Sequence, residues 1–285
     1  MAVAALPLIM IEPLVRAALL EDLGQAGDLT SDAIAPVGLA TSAALVARQG
    51  GVLAGLDFAA LAFRLLDPEV TFSREHDDGD RVGASETIAV VHGTARALLG
   101  AERTALNFLC RLSGIASATA AIVDAVREHP TRITCTRKTT PGLRAVQKYA
   151  VRAGGGMNHR FGLSDGVLIK DNHIAVAGGI GPAAERARAR AGHMVKIEVE
   201  IDRLDQLDEA LSARADIIML DNMSLADMKT AAGRVNGRAL LEASGNVTPA
   251  RVSEIAATGM DLISVGWITH SAPNLDVALD IDTAI

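Results

Sequence analysis

Between Arg137 and His173 the chain places seven cationic side chains, Arg137, Lys138, Arg144, Lys148, Arg152, Arg160 and Lys170, against two acids, Asp165 and Asp171. That window carries +5 in a chain whose formal charge is −7, so the remainder carries −12. Cations gathered in one Gly-rich window of an acidic chain suit a small polyanion. Nucleic acid would need a broader basic surface and aromatic side chains for stacking, and only 2% of the residues are aromatic. Arg144, Lys148 and Arg152 recur at i, i+4, i+8 and read as the solvated face of one helix. Arg137, Lys138, Arg160 and Lys170 break that pattern. They fall at strand ends or beside the Gly154-Gly155-Gly156 loop, where a ligand role fits better.

Glu198 and Glu200 alternate along one expected strand and so face the same side. Glu200 is nearer the C-terminal end and is the better functional candidate, and Asp221 closes the next strand. Acids so placed can hold ribose hydroxyls, bind Mg²⁺ or stabilise positive charge on a sugar ring. A structural salt-bridge network is the plainer alternative. Ser244-Gly245-Asn246 and Val265-Gly266-Trp267 close the last two strands. Glycine there lets backbone N–H groups approach a phosphate, helped by the positive end of a following helix. His159, His173 and His270 are candidate general acids, phosphate donors or structural histidines, and their spacing forms no metal set. Lys170 at a strand end also admits Schiff-base chemistry of the class I aldolase kind.

These residues must be positioned by regular elements. In the first hundred residues, Ile11–Glu21 and Leu56–Leu66 have helical spacing, while Thr41–Val46 and Thr87–His92 read as strands. A long amphipathic helix follows, Ala101–Leu112 continuing past Gly114 to Glu128, and it carries Arg103. Beyond His129-Pro130 the texture alternates. Apolar runs at Arg132–Thr136, Gly166–Asp171, Val195–Ile201, Asp216–Asp221, Ala239–Ala243 and Asp261–Val265 are separated by helical patterns near 142–153, 181–191, 203–213, 224–234 and 248–258. Such alternation implies parallel strands with right-handed crossovers. The polar residues named above lie at C-terminal strand ends, where α/β barrels build their sites. No G-x-G-x-x-G follows an early strand, so six strands of an incomplete α/β barrel are preferred to an open dinucleotide-binding sheet.

The 285 residues are ample for one large domain or two modest ones. Cys110 and Cys135 are too few for a disulfide framework and read as buried thiols of a reducing compartment. The N-terminal stretch is apolar but has no basic flank, and no apolar run reaches about 18 residues without charge. A cytoplasmic protein with neither membrane nor nucleic-acid partners is the expectation.

Several blocks in order resemble the quinolinate phosphoribosyltransferase family: Glu21-Asp22-Leu23-Gly24, Gly27-Asp28-Leu29-Thr30-Ser31, the run from Gly100 to Leu109, TRKTTPGLR from Thr136, and GGGMNHRFGLSDGVLIKDNHI from Gly154. Val199-Glu200, Met219-Leu220-Asp221-Asn222, Glu242-Ala243-Ser244-Gly245-Asn246 and Ser264-Val265-Gly266 complete the set. The similarity implies a carboxylating nicotinate-nucleotide pyrophosphorylase of NAD biosynthesis, a pentosyltransferase. Such an enzyme joins quinolinate to phosphoribosyl pyrophosphate with Mg²⁺ and releases CO₂ and pyrophosphate. It implies an N-terminal α/β sandwich over 1–112, joined by 273–285, and an incomplete barrel over 113–272. It also implies a dimer, with a hexamer left open, in which Arg103 is donated to the neighbouring site. For the pyridine carboxylates the resemblance nominates Arg103, Arg137, His159, Arg160 and Lys170. Lys138 and Lys170 fall near pyrophosphate, while Ser244, Gly245, Asn246, Val265, Gly266 and His270 surround the 5-phosphate. Glu200 and Asp221 hold ribose and Mg²⁺. Many relatives carry a second glycine where this chain has Asn246. A paralogue found with molybdate transporters shares the TRK and Gly–His–Arg runs but departs around Lys170-Asp171-Asn172-His173. That paralogue, a Lys170 aldolase and a non-catalytic phosphate-ligand sensor are the alternative readings.

Overall fold

The computed structural model describes residues 3–281, which form two compact units. One comprises 3–120, 145–155 and 271–281, and the other 121–144 and 156–270. Residues 1–2 and 282–285, assigned above to the N-terminal domain, lie outside the described residues.

The first unit contains α1 (Leu8–Leu23), α2 (Leu29–Ile34), α3 (Leu56–Leu66), most of α4 (Ala95–Ala125) and nearly all of α5 (Arg144–Ala153). Its strands are β1 (Ala40–Ala47), β2 (Gly51–Val52), β3 (Thr71–Arg74), β4 (Arg81–Val82), β5 (Thr87–Thr94) and β12 (Val277–Ile281). Four of these make an antiparallel sheet in the order β12-β1-β5-β3. The C-terminal strand therefore pairs back onto β1, with Leu45 opposite Leu279. α3 starts where Gly55 takes φ +105°, a conformation open to glycine. The Asp78 carboxylate caps that start, accepting from the Gly55 and Leu56 amides at 2.9 and 3.1 Å, and Tyr149 Oη donates to it at 2.6 Å.

α4 passes through Gly114 without a break, because that glycine admits the returning chain. A Cβ there would lie 2.0 Å from the Pro273 carbonyl oxygen. By length and composition α4 could cross a bilayer, but it is a core helix whose Leu98, Ala101, Ala105, Leu109 and Ile115 are fully buried. α5 departs from expectation. Lys148 is fully buried, so Arg144, Lys148 and Arg152 do not make a solvated face.

The second unit carries β6 (Arg132–Thr134), β7 (Val167–Ile169), β8 (Ile197–Ile201), β9 (Ile217–Asp221), β10 (Leu240–Ser244) and β11 (Leu262–Ser264). Its helices are α6 (Asp171–Ala177), α7 (Ile180–Arg190), α8 (Leu207–Ser212), α9 (Leu225–Val235), α10 (Val252–Ala256) and α11 (Trp267–His270). All six strands are parallel, in the order β6-β11-β10-β9-β8-β7. The first strand thus pairs with the last, which is the wrap of a barrel left open between β6 and β7. Met157 continues the β6 edge through a parallel bridge to Thr134. The six expected strands are all present; five are shortened by one or two residues at one or both ends, and β10 is shifted one residue onward to Ser244.

Register decides what faces inward. Glu200 is level with Met219, Met219 with Glu242, and Asp221 with Ser244. Side chains level with one another share a face, so Glu198, Glu200, Met219, Asp221, Glu242 and Ser244 line one side of the sheet. Val199, Ile201, Ile218, Leu220, Leu241 and Ala243 take the other and are buried. The apolar set holds the sheet to its helices, leaving the polar set for chemistry.

Candidate active site

The C-terminal strand ends of the second unit carry most of the expected residues. After β6 the chain turns so that the Lys138 amide donates to Thr136 Oγ1 at 3.0 Å, while Thr269 Oγ1 donates to the Lys138 carbonyl at 2.7 Å. Val265 is buried, and its amide donates to the Thr134 carbonyl at 2.9 Å. Gly266 lies under Lys138. A Cβ there would stand 3.0 Å from Lys138 Cδ and 3.6 Å from His270 Nε2. Lys138, Gly266 and His270 are therefore brought together.

Lys170 follows β7 and Glu200 lies in β8, and Lys170 Nζ is ion-paired with Glu200 Oε2. The Lys170 amide donates to His173 Nδ1 at 2.9 Å, which fixes that histidine beside the strand end. Asp221 Oδ2 accepts from Asn222 Nδ2 at 2.8 Å. Asn222, at φ +54°, also donates its amide to the Ser244 carbonyl at 2.9 Å and accepts at Oδ1 from Asn246 Nδ2 at 3.2 Å. One side chain thus links Asp221 to the Ser244-Gly245-Asn246 turn. Gly245 is at φ +90°, and a Cβ on it would fall 2.2 Å from Asn222 Oδ1. Asn246 is also left-handed at φ +49°, a conformation asparagine tolerates better than most residues. The helices expected to lend dipole to this turn contribute little. α10 begins six residues after Asn246, and α11 is four residues long. What the turn offers an anion is its backbone amides and glycine geometry.

A third group lies deeper within the barrel, below these strand ends. Among the described residues, four buried side-chain polar atoms have no hydrogen-bond partner: Arg137 Nε, Arg160 Nε, Glu198 Oε1 and Glu242 Oε1. Burial, and next the Arg137 charge, depress the Arg160 guanidinium from its ordinary value. Arg160 Nη1 donates to the Gly166 carbonyl at 2.9 Å, which anchors the fork. Two adjacent guanidinium groups with unmet donors are suited to carboxylates.

His159 points at the acids. Its Nε2 lies 3.0 Å from Glu198 Oε2 and 3.7 Å from Glu242 Oε1. Its Nδ1 accepts the Arg160 amide at 2.8 Å, so the ring proton sits on Nε2 and is donated to Glu198. The three groups place potential ligand atoms within 4.8 Å of one another, but a protonated Nε2 has no lone pair for a metal. Burial and then the Glu198 charge push Glu242 up to about 7. These groups, with Arg160, Asp165, Gly166 and Thr134, line a cavity of about 200 Å³. A larger cavity of about 710 Å³, between Gly181, Arg188 and Glu209, lies away from all of them.

Arg103 is exposed on α4, in the first unit. Glu242 and Asn222 were not singled out from the sequence, though both sit in quoted blocks. The alternation that put Glu198 and Glu200 on one face applies equally to Glu242 and Ser244, and could have found the former. Nothing in the spacing foretells Asn222, whose role depends on the left-handed backbone.

A curved parallel sheet whose strand ends present cations, two carboxylates and glycine turns defines a barrel enzyme for phosphorylated, carboxylated substrates. Residues 28–113 match the N-terminal domain and 115–280 the C-terminal domain of quinolinate phosphoribosyl transferase. The chain belongs to the quinolinate phosphoribosyltransferase family. It is 47% identical to a probable nicotinate-nucleotide pyrophosphorylase (carboxylating) of Bacillus subtilis, covering 92% of this chain and 90% of that one. It is 44% identical to the nicotinate-nucleotide pyrophosphorylase (carboxylating) of Mycobacterium leprae, over 94% and 95% of the two chains. The crystal structure of NadC from Streptococcus pyogenes superposes with a TM-score of 0.95 at 42% identity, covering 98% and 99%.

Proposed function

We infer that the protein transfers a phosphoribosyl group from phosphoribosyl pyrophosphate to the ring nitrogen of quinolinate. Decarboxylation then gives nicotinate mononucleotide. The observation that carries this reading is the pair Arg137 and Arg160, each with a buried Nε left without a partner. A dicarboxylate supplies the acceptors those donors lack, and guanidinium forks match carboxylates in shape as well as charge. Lys138, Gly245, Asn246, Gly266 and His270 receive the phosphate groups. Glu200 and Asp221 face the ribose, where C1 becomes positive as its bond to pyrophosphate breaks and that electron pair departs with the leaving group. The ring nitrogen lone pair then forms the new C1–N bond. Both carboxylates are held in place by partners, Lys170 and Asn222 respectively, so their charge is aimed without rearrangement.

Mg²⁺ fits the donor set. Glu200 Oε1 and Asp221 Oδ1 stay outside the hydrogen bonds just described, and two hard oxygens suit a cation shared with substrate phosphates. Bound there, the ion would neutralise charge on the departing pyrophosphate. The cellular setting that suits these substrates is the cytoplasm, and the assembly is a homodimer with Arg103 reaching the neighbouring site. The Lys170 aldolase reading loses ground because the Lys170 ammonium is paired with Glu200, whereas a Schiff-base lysine must be a free amine. The test is formation of nicotinate mononucleotide by purified protein from quinolinate, phosphoribosyl pyrophosphate and Mg²⁺. Activity with nicotinate but not quinolinate would refute the substrate assignment.

A further inference from the structure

Replacing a ring carboxylate by hydrogen consumes one proton per turnover, and none of the roles assigned so far supplies it. We propose that Glu242 is the acid that protonates the ring carbon vacated by CO₂. The inference rests on the reading of the substrate as quinolinate.

Glu242 is inward-facing on β10, two residues before Ser244 and level with Met219, which is in turn level with Glu200. It therefore sits one layer beneath the strand ends that carry the phosphate-binding turn. Its side chain is 1% exposed, and its Oε1 has no hydrogen-bond partner. It shares a cavity with Arg160, whose own buried Nε awaits an acceptor. The two carboxylates of quinolinate are on adjacent ring carbons, so a carboxylate held by Arg160 keeps the reacting C2 within two bonds of that group. With Arg160 and Glu242 lining one cavity, a ring held by Arg160 would turn the carbon that loses CO₂ toward the side Glu242 faces.

The charged and titratable groups facing Glu242 are Glu198 from β8, His159 and Arg160 from the segment after Met157, and Asp165 and Lys196 at the cavity wall. Ser264 is a hydrogen-bonding neighbour from β11. The His159 proton is already donated to Glu198, and the Lys170 ammonium is held by Glu200. Guanidinium groups do not release protons in this range. Burial beside Glu198 keeps the Glu242 carboxyl protonated up to about pH 7, so it holds a proton when the reaction needs one.

The step balances. The bond from C2 to the carboxylate breaks, CO₂ departs, and the electron pair stays on C2 beside the glycosylated, positively charged nitrogen. The Glu242 O–H bond then breaks as C2–H forms, leaving a carboxylate that recovers its proton from solvent after product release.

The test uses single turnovers of the whole enzyme, in excess over quinolinate, in equal parts light and heavy water. The hydrogen-to-deuterium ratio at C2 of the nicotinate mononucleotide is read by mass spectrometry. A carboxylic acid, an ammonium and water discriminate between the isotopes differently, so the ratio reports the donor. Glu242→Gln keeps the shape and neutrality of the protonated acid and should fold, which a melting curve verifies. It should slow product formation about a hundredfold or more, shift the isotope ratio, and abolish any limb near neutrality in the pH profile of kcat. Glu242→Asp, which restores an acid, should return the ratio toward the wild type. An isotope ratio in Glu242→Gln identical to the wild type would overturn the proposal. Failure of the wild-type protein to make any nicotinate mononucleotide would instead overturn the substrate reading.

Discussion

Lys170 and Glu200 form an ion pair at the C-terminal ends of the neighbouring strands β7 and β8, and the carboxylate is the more enclosed partner, at 15% exposure against 44%. The pair fixes one oxygen of Glu200 and turns its charge toward the strand-end site. Glu200→Gln keeps the shape and removes the charge. It should lower kcat about a hundredfold, with a much smaller change in the KM for quinolinate, because the charge matters most as C1 becomes positive. Steady-state kinetics decide this, and wild-type turnover would reduce Glu200 to scaffold. Asp221→Asn should behave in the same way.

Arg137→Lys preserves charge but loses the planar fork. With its Nε buried beside Arg160, the wild-type side chain has a donor that lysine cannot replace. The KM for quinolinate should rise about tenfold or more, equivalent to roughly 1.4 kcal/mol. An unchanged KM would remove Arg137 from the substrate site.

Gly245→Ala introduces a Cβ 2.2 Å from Asn222 Oδ1 at a φ of +90°. The Asn222 link between Asp221 and the turn must then shift. Thermal melting should show a loss of about 1–3 kcal/mol. The KM for phosphoribosyl pyrophosphate should rise more than that for quinolinate, and equal effects on both would detach this turn from phosphate binding.

Glu242 makes the stability of the protein depend on pH. Its carboxyl titrates near 7 when folded and near the ordinary value of 4.5 when unfolded. The folded state therefore binds more protons between those values, and stability falls as pH rises from about 4.5 to about 7. Glu242→Gln should flatten that slope and raise stability at pH 8 by up to roughly 3 kcal/mol, read as a higher melting temperature. A slope that persists in the variant would assign it to other groups.

Arg103 bears on assembly. If it completes the neighbour's site, Arg103→Ala and Lys138→Ala should each be inactive alone. Mixed after subunit exchange, they should recover roughly a quarter of wild-type activity, since mixed dimers hold one intact site. No recovery after verified exchange would place Arg103 in its own subunit's site or outside the chemistry.

The alternation of apolar runs and helical patterns after Pro130 was enough to foresee six parallel strands, because burial on both faces writes continuous apolar segments into the chain. Arg137, Lys138, Lys170, Glu200, Asp221 and Gly266 were legible for the same reason: each lies at or just beyond a strand end, and strand ends can be counted. The short elements α2, β3, α6, α11 and β12 were not legible, since pieces of four to seven residues carry too little periodicity to rise above their surroundings.

Chemistry of residue type and strand position was thus determined by the sequence alone, including which cations could meet an anion. Tertiary structure decided what each group does with its partners. The buried state of Lys148 is set by packing that helical spacing cannot reveal. Asn222 became the link between Asp221 and Gly245 because the backbone is left-handed there. His159 and Glu198 meet Glu242 because the barrel folds β8 and β10 toward the segment after Met157. Ionisation depends on such through-space neighbours, which lie some forty residues or more apart along the chain, and only the folded sheet brings them within reach.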